Sequence, residues 1–531
     1  MDSIRTGESQ IPSRSDGEHA LRSDGCEAVR FSTHQGGEQP PGLASSERAW
    51  VRWCITALGA ALWVGLCTWR LDSVPGMSMD EAWSILSARG EWPSVNPLSG
   101  MTAYSGPFPV WLLELVGTDH GVLVLRVASV VANGTALILI ASMLRRAWPR
   151  ASDAAWALPF LATTPVWLVV MRTGIEVTMF MPLLIVLGLF LFLRRTPRAE
   201  FAGGFVWGVA VYSHVIAACF AVGIALAAWR TERRVPLVAP RRALLGVLLG
   251  VAPRLFALIV FHEPLAGTAA ARYSLLRAVA DLRWLPLCLW RTLHGDTAYL
   301  RYVGRLALTP WPYWILAIGF LLPWRRRHWP LPRPARFMLY ATFASAVLVT
   351  VAAPYIAVRF FPLSVLGLSA SLVLLGAGAI ARDPSWRWPV AGSAALMSLC
   401  NLFYYGVDFV RPWERQELGL VKFFLGDRSK ETGNWAYLPK EELVQELRAL
   451  APQPQQIVTG ATLVRPLRVL LAADPVRVAM AGEADHALRS VFIDYRWPDS
   501  PEQHCDETPT GALCFRGPKT LARYFVLYPD R

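Results

Sequence analysis

Two adjacent carboxylates, Asp80 and Glu81, lie in the apolar segment Met77-Ser78-Met79-Asp80-Glu81-Ala82-Trp83. Carboxylates near a membrane surface are costly to desolvate, so they usually have a partner or a task. A carboxylate can act as a general base toward a hydroxyl group. If the segment is helical, the two side chains point ~100° apart and take separate roles. The alternative is a helix N-terminus, with Ser78 or Asp80 as the cap and Glu81 in the first turn.

Three further segments carry residues that could bind an anion. They are Arg172-Thr173-Gly174-Ile175-Glu176, Gly208-Val209-Ala210-Val211-Tyr212-Ser213-His214 and Val358-Arg359-Phe360-Phe361-Pro362-Leu363. The guanidinium fork of Arg fits phosphate oxygens, and histidine is a further donor. Each also has a structural explanation. Arg172 can pair with Glu176, Arg359 can extend from a span end to the interface, and His214 can be a hydrogen-bonded histidine.

Two loops could line the path of a second substrate. Tyr104 begins the segment Tyr104-Ser105-Gly106-Pro107-Phe108-Pro109-Val110-Trp111-Leu112, and His294-Gly295-Asp296 lies in the long loop 262–308. That loop has leucines at near-helical spacing interspersed with arginines, which is typical of a helix lying in the membrane interface. A surface helix that covers a cavity is the alternative explanation for the same pattern.

The composition shows what kind of chain must position these residues. Hydrophobic residues make up 54% of the 531 residues and charged residues 17%, yet the net charge is +13. Few nucleic-acid-binding proteins are this apolar, so we expect no nucleic-acid partner. Residues 1–49 are polar and predicted to be a disordered tail without a signal-peptide layout. The first apolar run, Val51 to Trp69, is long enough to cross ~30 Å of hydrocarbon.

The apolar runs predict a membrane domain at 50–404 with about eleven spans. The predicted spans are 51–69, 120–143, 154–171, 177–193, 202–213, 215–229, 243–261, 309–324, 337–354, 359–380 and 388–404.

Arginine clusters orient these spans. If the N-terminus is cytoplasmic, the cytoplasmic loops together contain eighteen Arg, no Lys and four acidic residues, for a net +14, and the rest of the chain sums to −1. Short cytoplasmic loops carry the Lys/Arg excess in membrane proteins. The five loops are 144–153, 194–201, 230–242, 325–336 and 382–387. This orientation places the loops 70–107 and 262–308 and the C-terminus outside.

Residues 405–531 are predicted to form a small exterior α/β domain, because they contain no spanning run and alternate between strand and helix patterns. Helical patterns fall at 440–447 and 462–472. Cys505 and Cys514 are the cysteines placed to form a disulfide in an oxidising compartment, and the sequence leaves that open. The β-prone runs are Gln456–Thr459, Val476–Met480, Ser490–Tyr495, Leu513–Arg516 and Tyr524–Tyr528.

The motifs resemble those of the GT-C superfamily of integral membrane glycosyltransferases, over roughly residues 50–400. The resemblance is to the bacterial members related to protein O-mannosyltransferases and lipid A aminoarabinose transferases. It rests on the Asp80-Glu81 pair after the first span, the Gly106–Leu112 re-entry, and the three anion-binding segments in the same order. His214 stands where Lys is more usual, Phe360 replaces Tyr, and the spacing from Arg359 to Pro362 is one residue shorter.

The resemblance implies a mainly α polytopic bundle and a polyprenyl-phosphate-linked sugar as the donor. It implies transfer to an acceptor hydroxyl on a glycan, lipid or protein, with inversion, at the exterior face of a bacterial inner membrane. Asp80 would be the base, and Glu81 a helper, an acceptor orienter or a ligand, with Asp80, of a divalent cation such as Mg or Mn. Arg172, Arg359, His214 and Glu176 would bind the lipid phosphate. Tyr104, His294 and Asp296 would line the acceptor path.

Two other classes of function remain open. A transporter or lipid flippase tends to show inverted repeats and interrupted helices at the membrane midplane, which the sequence does not display. A non-catalytic envelope assembly protein of GT-C type would bind the lipid phosphate without turnover. The chain has no G-x-x-x-x-G-K-[ST] and no G-x-G-x-x-G, so a cytosolic nucleotide-sugar donor is less favoured.

Overall fold

The structure is a computed structural model of the 531-residue chain. The chain divides into Met1–Trp50, of which residues 44–50 are described, and Val51–Arg531. The structure describes residues 44–72, 77–92, 96–100, 102, 104–147, 157–164, 167–168, 171–232, 237–262, 276, 279–280, 282–286, 289, 311–327, 329–353, 361–405, 441–449, 453–485, 488, 490–496, 506–508, 511–516 and 523–529.

Most of the described residues are helical, which confirms the mainly α class. The helices are α1 (Ala44–Thr68), α2 (Met79–Ala88), α3 (Phe108–Val116), α4 (Gly121–Ala147), α5 (Ala157–Ala162), α6 (Glu176–Met179), α7 (Met181–Phe192), α8 (Pro197–Ser213), α9 (Ala217–Glu232), α10 (Pro240–Val260), α11 (Trp311–Arg327), α12 (Arg333–Ala352), α13 (Phe361–Arg382), α14 (Arg387–Tyr405), α15 (Glu441–Arg448) and α16 (Ala461–Leu470).

Four helices among the described residues are long and apolar enough to cross a membrane: Gly121–Leu144 of α4, α10, α12 and α13. Shorter apolar helices cover Ala57–Thr68 and Val177–Phe192. Each predicted span overlaps a helix in sequence. The number of membrane crossings, about eleven, remains a prediction. Arg241 and Arg242 are exposed in the first turn of α10, and its outer side is apolar from Leu244 onward. Its exposed large hydrophobic side chains are Leu244, Leu245, Leu248, Leu249, Leu255, Phe256, Ile259 and Val260.

Glycines bring α8 and α10 into close contact. Gly204 and Gly208 on α8 are four residues apart, as are Gly246 and Gly250 on α10. A Cβ atom on any of the four would collide with the backbone of the opposite helix. Small residues at this spacing let two membrane helices pack backbone against backbone. The pair therefore forms a rigid support for the residues at its ends, which include His214.

The predicted span 154–171 is not one continuous helix. The helix α5 ends at Ala162, and Thr163 and Thr164 follow it as a turn. Proline disfavours the helical conformation of the residue before it, so Pro165 explains why the helix stops there. The next span is also interrupted, because α6 ends at Met179 and α7 begins at Met181, with Pro182 in its first turn. The non-helical residues Thr173–Ile175 lie between these broken helices.

Beyond α14, the described residues form a C-terminal α/β segment (residues 441–529) made of α15, α16 and a six-stranded sheet. The strand order is β2-β1-β3-β6-β5-β4, with β1 parallel to β2 and β3 and the remaining pairs antiparallel. The strands are β1 (Gln456–Thr459), β2 (Arg477–Met480), β3 (Ser490–Arg496), β4 (Asp506–Thr508), β5 (Gly511–Arg516) and β6 (Arg523–Pro529).

The predicted strand runs overlap β1, β2, β3, β5 and β6, whereas the three-residue strand β4 was not predicted. The helix α16 packs its apolar side chains Leu463, Val464 and Leu467 against Ile457 and Val478 of the sheet. Cys505 lies outside the described residues, so the predicted pairing with Cys514 stays a prediction.

Candidate functional site

The helix α2 begins with a capping box that uses one of the two predicted carboxylates. The Ser78 Oγ accepts a hydrogen bond from the Glu81 backbone N–H at 3.1 Å, and the Ser78 N–H donates to Glu81 Oε2 at 2.8 Å. A Ser-x-x-Glu sequence satisfies two otherwise unpaired N–H groups in this way. The capping alternative for Ser78 and Glu81 is therefore what the structure shows. Asp80 and Glu81 also place negative charge in the first helical turn, where it is favourable.

Glu81 forms a fully buried ion pair with Arg126 of α4. Arg126 Nε donates to Glu81 Oε1 at 2.7 Å and Arg126 Nη2 donates to Oε2 at 2.9 Å, and both side chains are 0% exposed. The Gly174 N–H also donates to Oε1, at 2.9 Å. With the bond from Ser78, each carboxylate oxygen accepts two hydrogen bonds. Glu81 therefore joins three parts of the chain, namely α2, α4 and the segment after Arg172.

Burial and charge act in opposite directions on Glu81. Burial by itself raises the pKa of the carboxyl group, whereas the Arg126 charge and the hydrogen bonds from Arg126, Ser78 and Gly174 lower it. The attractive contacts prevail, so the pKa of Glu81 lies below its usual value. The group is a carboxylate at neutral pH and cannot act as a proton donor there.

Gly174 is necessary for this contact. A Cβ atom at this position would collide with the Leu125 side chain and lie close to the Arg126 backbone nitrogen. Because glycine lacks that atom, the segment approaches α4 closely enough for its N–H to reach Glu81. This close approach brings the segment that follows Arg172 into contact with the start of α2.

Arg172 is fully buried and holds the C-terminal end of α1. Its Nη1 and Nη2 atoms donate to the carbonyl oxygens of Leu66 and Trp69, and its guanidinium carbon lies 5.8 Å from the centroid of the Trp69 ring. A cation at this end of a helix is favoured by the helix dipole and satisfies terminal carbonyl groups. The side chain of Glu176, its alternative partner, lies outside the described residues.

Tyr104 and His214, predicted for different parts of the site, lie in direct contact. Their ring centroids are 5.5 Å apart in an edge-to-face arrangement. A short antiparallel bridge holds them, in which the Val215 N–H donates to the Tyr104 carbonyl at 3.0 Å and the Gly106 N–H donates to the Ser213 carbonyl at 2.7 Å. The His214 Nδ1 atom accepts from the Ile216 N–H at 3.2 Å, so a neutral ring carries its proton on Nε2.

A third buried arginine, Arg254 of α10, contacts the same loop. Its Nη1 atom donates to Ser99 Oγ at 3.1 Å and to the Ser105 carbonyl at 3.2 Å. Arg126 donates to the Leu71 carbonyl, at 3.0 Å, besides pairing with Glu81. Arg126 and Arg254, which both lie within predicted spans, thus both anchor the loop 70–107.

Asp80 differs from Glu81 in its surroundings. Its side chain is only partly buried, and it lies three residues before Trp83, so the two share one face of α2. The α16 helix of the C-terminal α/β segment packs against α2, and the Arg465 guanidinium carbon lies 4.0 Å from the centroid of the Trp83 ring. Sequence reasoning did not find Arg465, since no local pattern links residue 465 with residue 83.

The structure brings together part of the predicted site. Asp80, Glu81 and the segment of Arg172 share the start of α2, and Tyr104 and His214 pack together beyond it. Arg359, His294 and Asp296 lie outside the described residues. Within the described ranges, no group of three or more His, Cys, Asp and Glu side chains could hold a metal ion. A cation shared by Asp80 and Glu81 does not fit this arrangement, because four hydrogen bonds already occupy the Glu81 oxygens.

Comparison with known proteins gives two similar solved structures. The crystal structure of ArnT from Cupriavidus metallidurans in the apo state is 15% identical, with a TM-score of 0.49, and the match covers 91% of this chain and 98% of that chain. The structure of the same protein bound to undecaprenyl phosphate is 13% identical, with a TM-score of 0.47, covering 90% and 98%. No protein-family model and no curated protein matches the chain. These values do not show a family.

Proposed function

We propose that the chain is a membrane glycosyltransferase. In this proposal it moves a sugar from a polyprenyl-phosphate-linked donor to an acceptor hydroxyl, with inversion, at the exterior face of a bacterial inner membrane. The N-terminus is cytoplasmic and the C-terminal α/β segment is periplasmic. The sequence motifs and the arginine distribution support this orientation.

The observation that carries the proposal is the contrast between the two neighbouring carboxylates. Glu81 is fully buried, and four hydrogen bonds occupy its oxygens. Asp80, one residue earlier, is partly buried and points to a different side of α2. Glu81 is therefore a positioning residue that fixes the start of α2, and Asp80 is the catalytic base. The sequence prediction already made Asp80 the base; the proposal replaces the role it gave Glu81, as a helper, acceptor orienter or cation ligand, by a positioning role.

The reaction requires one proton transfer and one substitution. Asp80 takes the proton of the acceptor hydroxyl, and the resulting oxygen forms a bond to the anomeric carbon. The bond from that carbon to the phosphate oxygen breaks on the opposite face, and its electron pair leaves with the lipid phosphate. Attack from the opposite face inverts the anomeric configuration.

The leaving lipid phosphate needs positive charge rather than a proton. In the proposal Arg359 and His214 supply charge and hydrogen bonds, Arg172 adds its charge from the end of α1, and Glu176 helps to orient these groups. Tyr104, which packs on His214, belongs with His294 and Asp296 to the acceptor path. The acceptor is a hydroxyl-bearing glycan, lipid or protein.

The test is mass spectrometry of envelope glycans, lipids and glycoproteins from cells with and without the gene. We expect one class of envelope molecule to lose a sugar in the deletion strain. Wild-type protein should restore it, and Asp80→Asn should not, although that variant is made at a normal level. Asp119→Asn, a matched change at an exposed aspartate before α4, should restore the sugar. Full restoration by Asp80→Asn would overturn the assignment.

A further inference from the structure

Arg465 of α16 lies between two tryptophans of the loop that carries Asp80. Its guanidinium carbon is 4.0 Å from the centroid of the Trp83 ring and 4.7 Å from that of the Trp92 ring. Trp83 belongs to α2, and Trp92 lies in the turn after that helix. A guanidinium over a tryptophan face is attracted electrostatically to the ring. The two rings therefore fix this cation on the surface of α2.

Arg465 and Asp80 are close enough for their charges to interact. The pKa of Arg465 is lowered, mainly by burial. The negative charge of Asp80 raises this pKa, whereas the positive charge of Arg468 lowers it further. Asp80 and Trp83 lie on one face of α2, and α16 packs on that helix. The arginine held by the tryptophans is thus a cation beside the proposed base.

Arg468, one helical turn later, provides a contrast. It also lies over Trp92, at 4.9 Å from the ring centroid. However, its Nη2 atom pairs with Glu483 at 3.0 Å and its Nε atom donates to the Val478 carbonyl at 2.9 Å. Its charge is thus compensated within the C-terminal α/β segment. Arg465 and Arg468 are therefore a matched pair of arginines: the charge of the first interacts with Asp80, and that of the second is paired within its own segment.

We propose that Arg465 is a positioning residue of the transfer site, which holds the Asp80 carboxylate in its working orientation and makes the C-terminal α/β segment an essential part of that site. The inference rests on the proposed function, since it assigns Arg465 a role through the proposed base. An oriented charge beside a catalytic group is effective because it needs no rearrangement during the reaction. The C-terminal segment then contributes to turnover and does more than cover the membrane domain.

The first test compares three variants of the full chain in liposomes that contain polyprenyl-phosphate sugar. Arg465→Met keeps a long apolar side chain between the tryptophans and removes the charge. We expect kcat to fall about 10- to 100-fold with KM changed less than threefold, since small misplacement of a reacting group has effects of this size. Arg465→Lys keeps the charge and should recover at least a third of the wild-type kcat. Arg468→Met should stay within twofold of wild type.

The second test does not depend on activity. The melting temperatures of Asp80→Asn, Arg465→Met and the double variant are measured in detergent. If the Arg465 charge faces Asp80, the two single shifts do not add in the double variant, whereas those of Asp80→Asn and Arg468→Met do add.

The outcomes separate this inference from the proposed function. If Asp80→Asn is inactive while Arg465→Met has the wild-type kcat, the inference is wrong and the function stands. If Arg465→Lys is as inactive as Arg465→Met, or the melting shifts add, the charge of Arg465 has no positioning role. If the wild type transfers no sugar, the proposed function is wrong, and the role of Arg465 in transfer is wrong with it. Non-additive melting shifts would then show only that Arg465 and Asp80 interact.

Discussion

Replacing Glu81 by Gln removes one charge from a fully buried ion pair, and its cost can be worked out from the contacts. Glu81 accepts four hydrogen bonds, two on each oxygen, from Arg126, Ser78 and Gly174. In glutamine one oxygen becomes an NH₂ group, which would then point at two donors. Two of the four bonds are lost, and the buried charge of Arg126 is left without its counter-ion.

Breaking a buried pair by removing one partner costs about 3–5 kcal/mol. The matched control is Glu232→Gln, the same change at the exposed pair of Arg195 and Glu232, which are 3.5 Å apart and 47% and 44% exposed. An exposed pair contributes about 0–1 kcal/mol. We therefore expect Glu81→Gln to be several kcal/mol less stable than Glu232→Gln in equilibrium unfolding by denaturant in detergent.

The same pair predicts a pH dependence. The pKa of Glu81 is lower in the folded protein than its usual value, which is about 4.3 in an unfolded chain. The stability from its ionised form is therefore fully present above that pH and is lost as the pH falls through the lower folded pKa. The difference between wild type and Glu81→Gln should be constant at neutral pH and shrink in strong acid. Equal stability of Glu81→Gln and Glu232→Gln at neutral pH would refute the reasoning.

Three further changes test how the site is held. Gly174→Ala places a Cβ atom against Leu125 and should destabilise the protein by about 1–3 kcal/mol, measured as a lower denaturation midpoint. Gly250→Ala should lower the melting temperature, because the added Cβ atom would force α8 and α10 apart. The control Gly65→Ala adds a Cβ atom where space is open and should raise the melting temperature slightly. Equal shifts for the two variants would contradict this. Arg254→Met removes the hydrogen bonds to the loop 70–107 and should speed proteolysis of that loop, and an unchanged cleavage rate would show that other contacts hold it.

Local patterns in the sequence predicted the parts of the site that neighbouring residues determine. Ser78 and Glu81 are three residues apart, which is the capping-box spacing, so the helix start at Met79 follows from the sequence. Five of the six strands of the C-terminal α/β segment similarly overlap the predicted runs, since each of these five is a short β-prone segment. A charged residue inside a span is costly without a partner, so the positions of Arg126 and Arg254 indicate that each has one, but the sequence does not identify it.

Contacts between distant parts of the chain could not be predicted in this way. Glu81 and Arg126 are 45 residues apart, and no periodic pattern in the sequence indicates that they pair. The broken helix before Arg172 was predicted as a continuous span, because hydropathy averages over the turn that precedes Pro165. Arg465 is separated from Trp83 by almost the whole membrane domain, and its sequence surroundings are those of an ordinary amphipathic helix.

The central claim is that Asp80 is the base for transfer from a lipid phosphate. The most direct measurement is the rate at which purified protein in liposomes releases polyprenyl phosphate from sugar-loaded lipid in the presence of acceptor. The account predicts release by the wild type, at least a ~100-fold slower rate for Asp80→Asn, and equal donor binding by the two proteins, both of them folded. Release by Asp80→Asn at the wild-type rate would contradict it. Movement of intact lipid-linked sugar across the bilayer without release would instead identify a flippase.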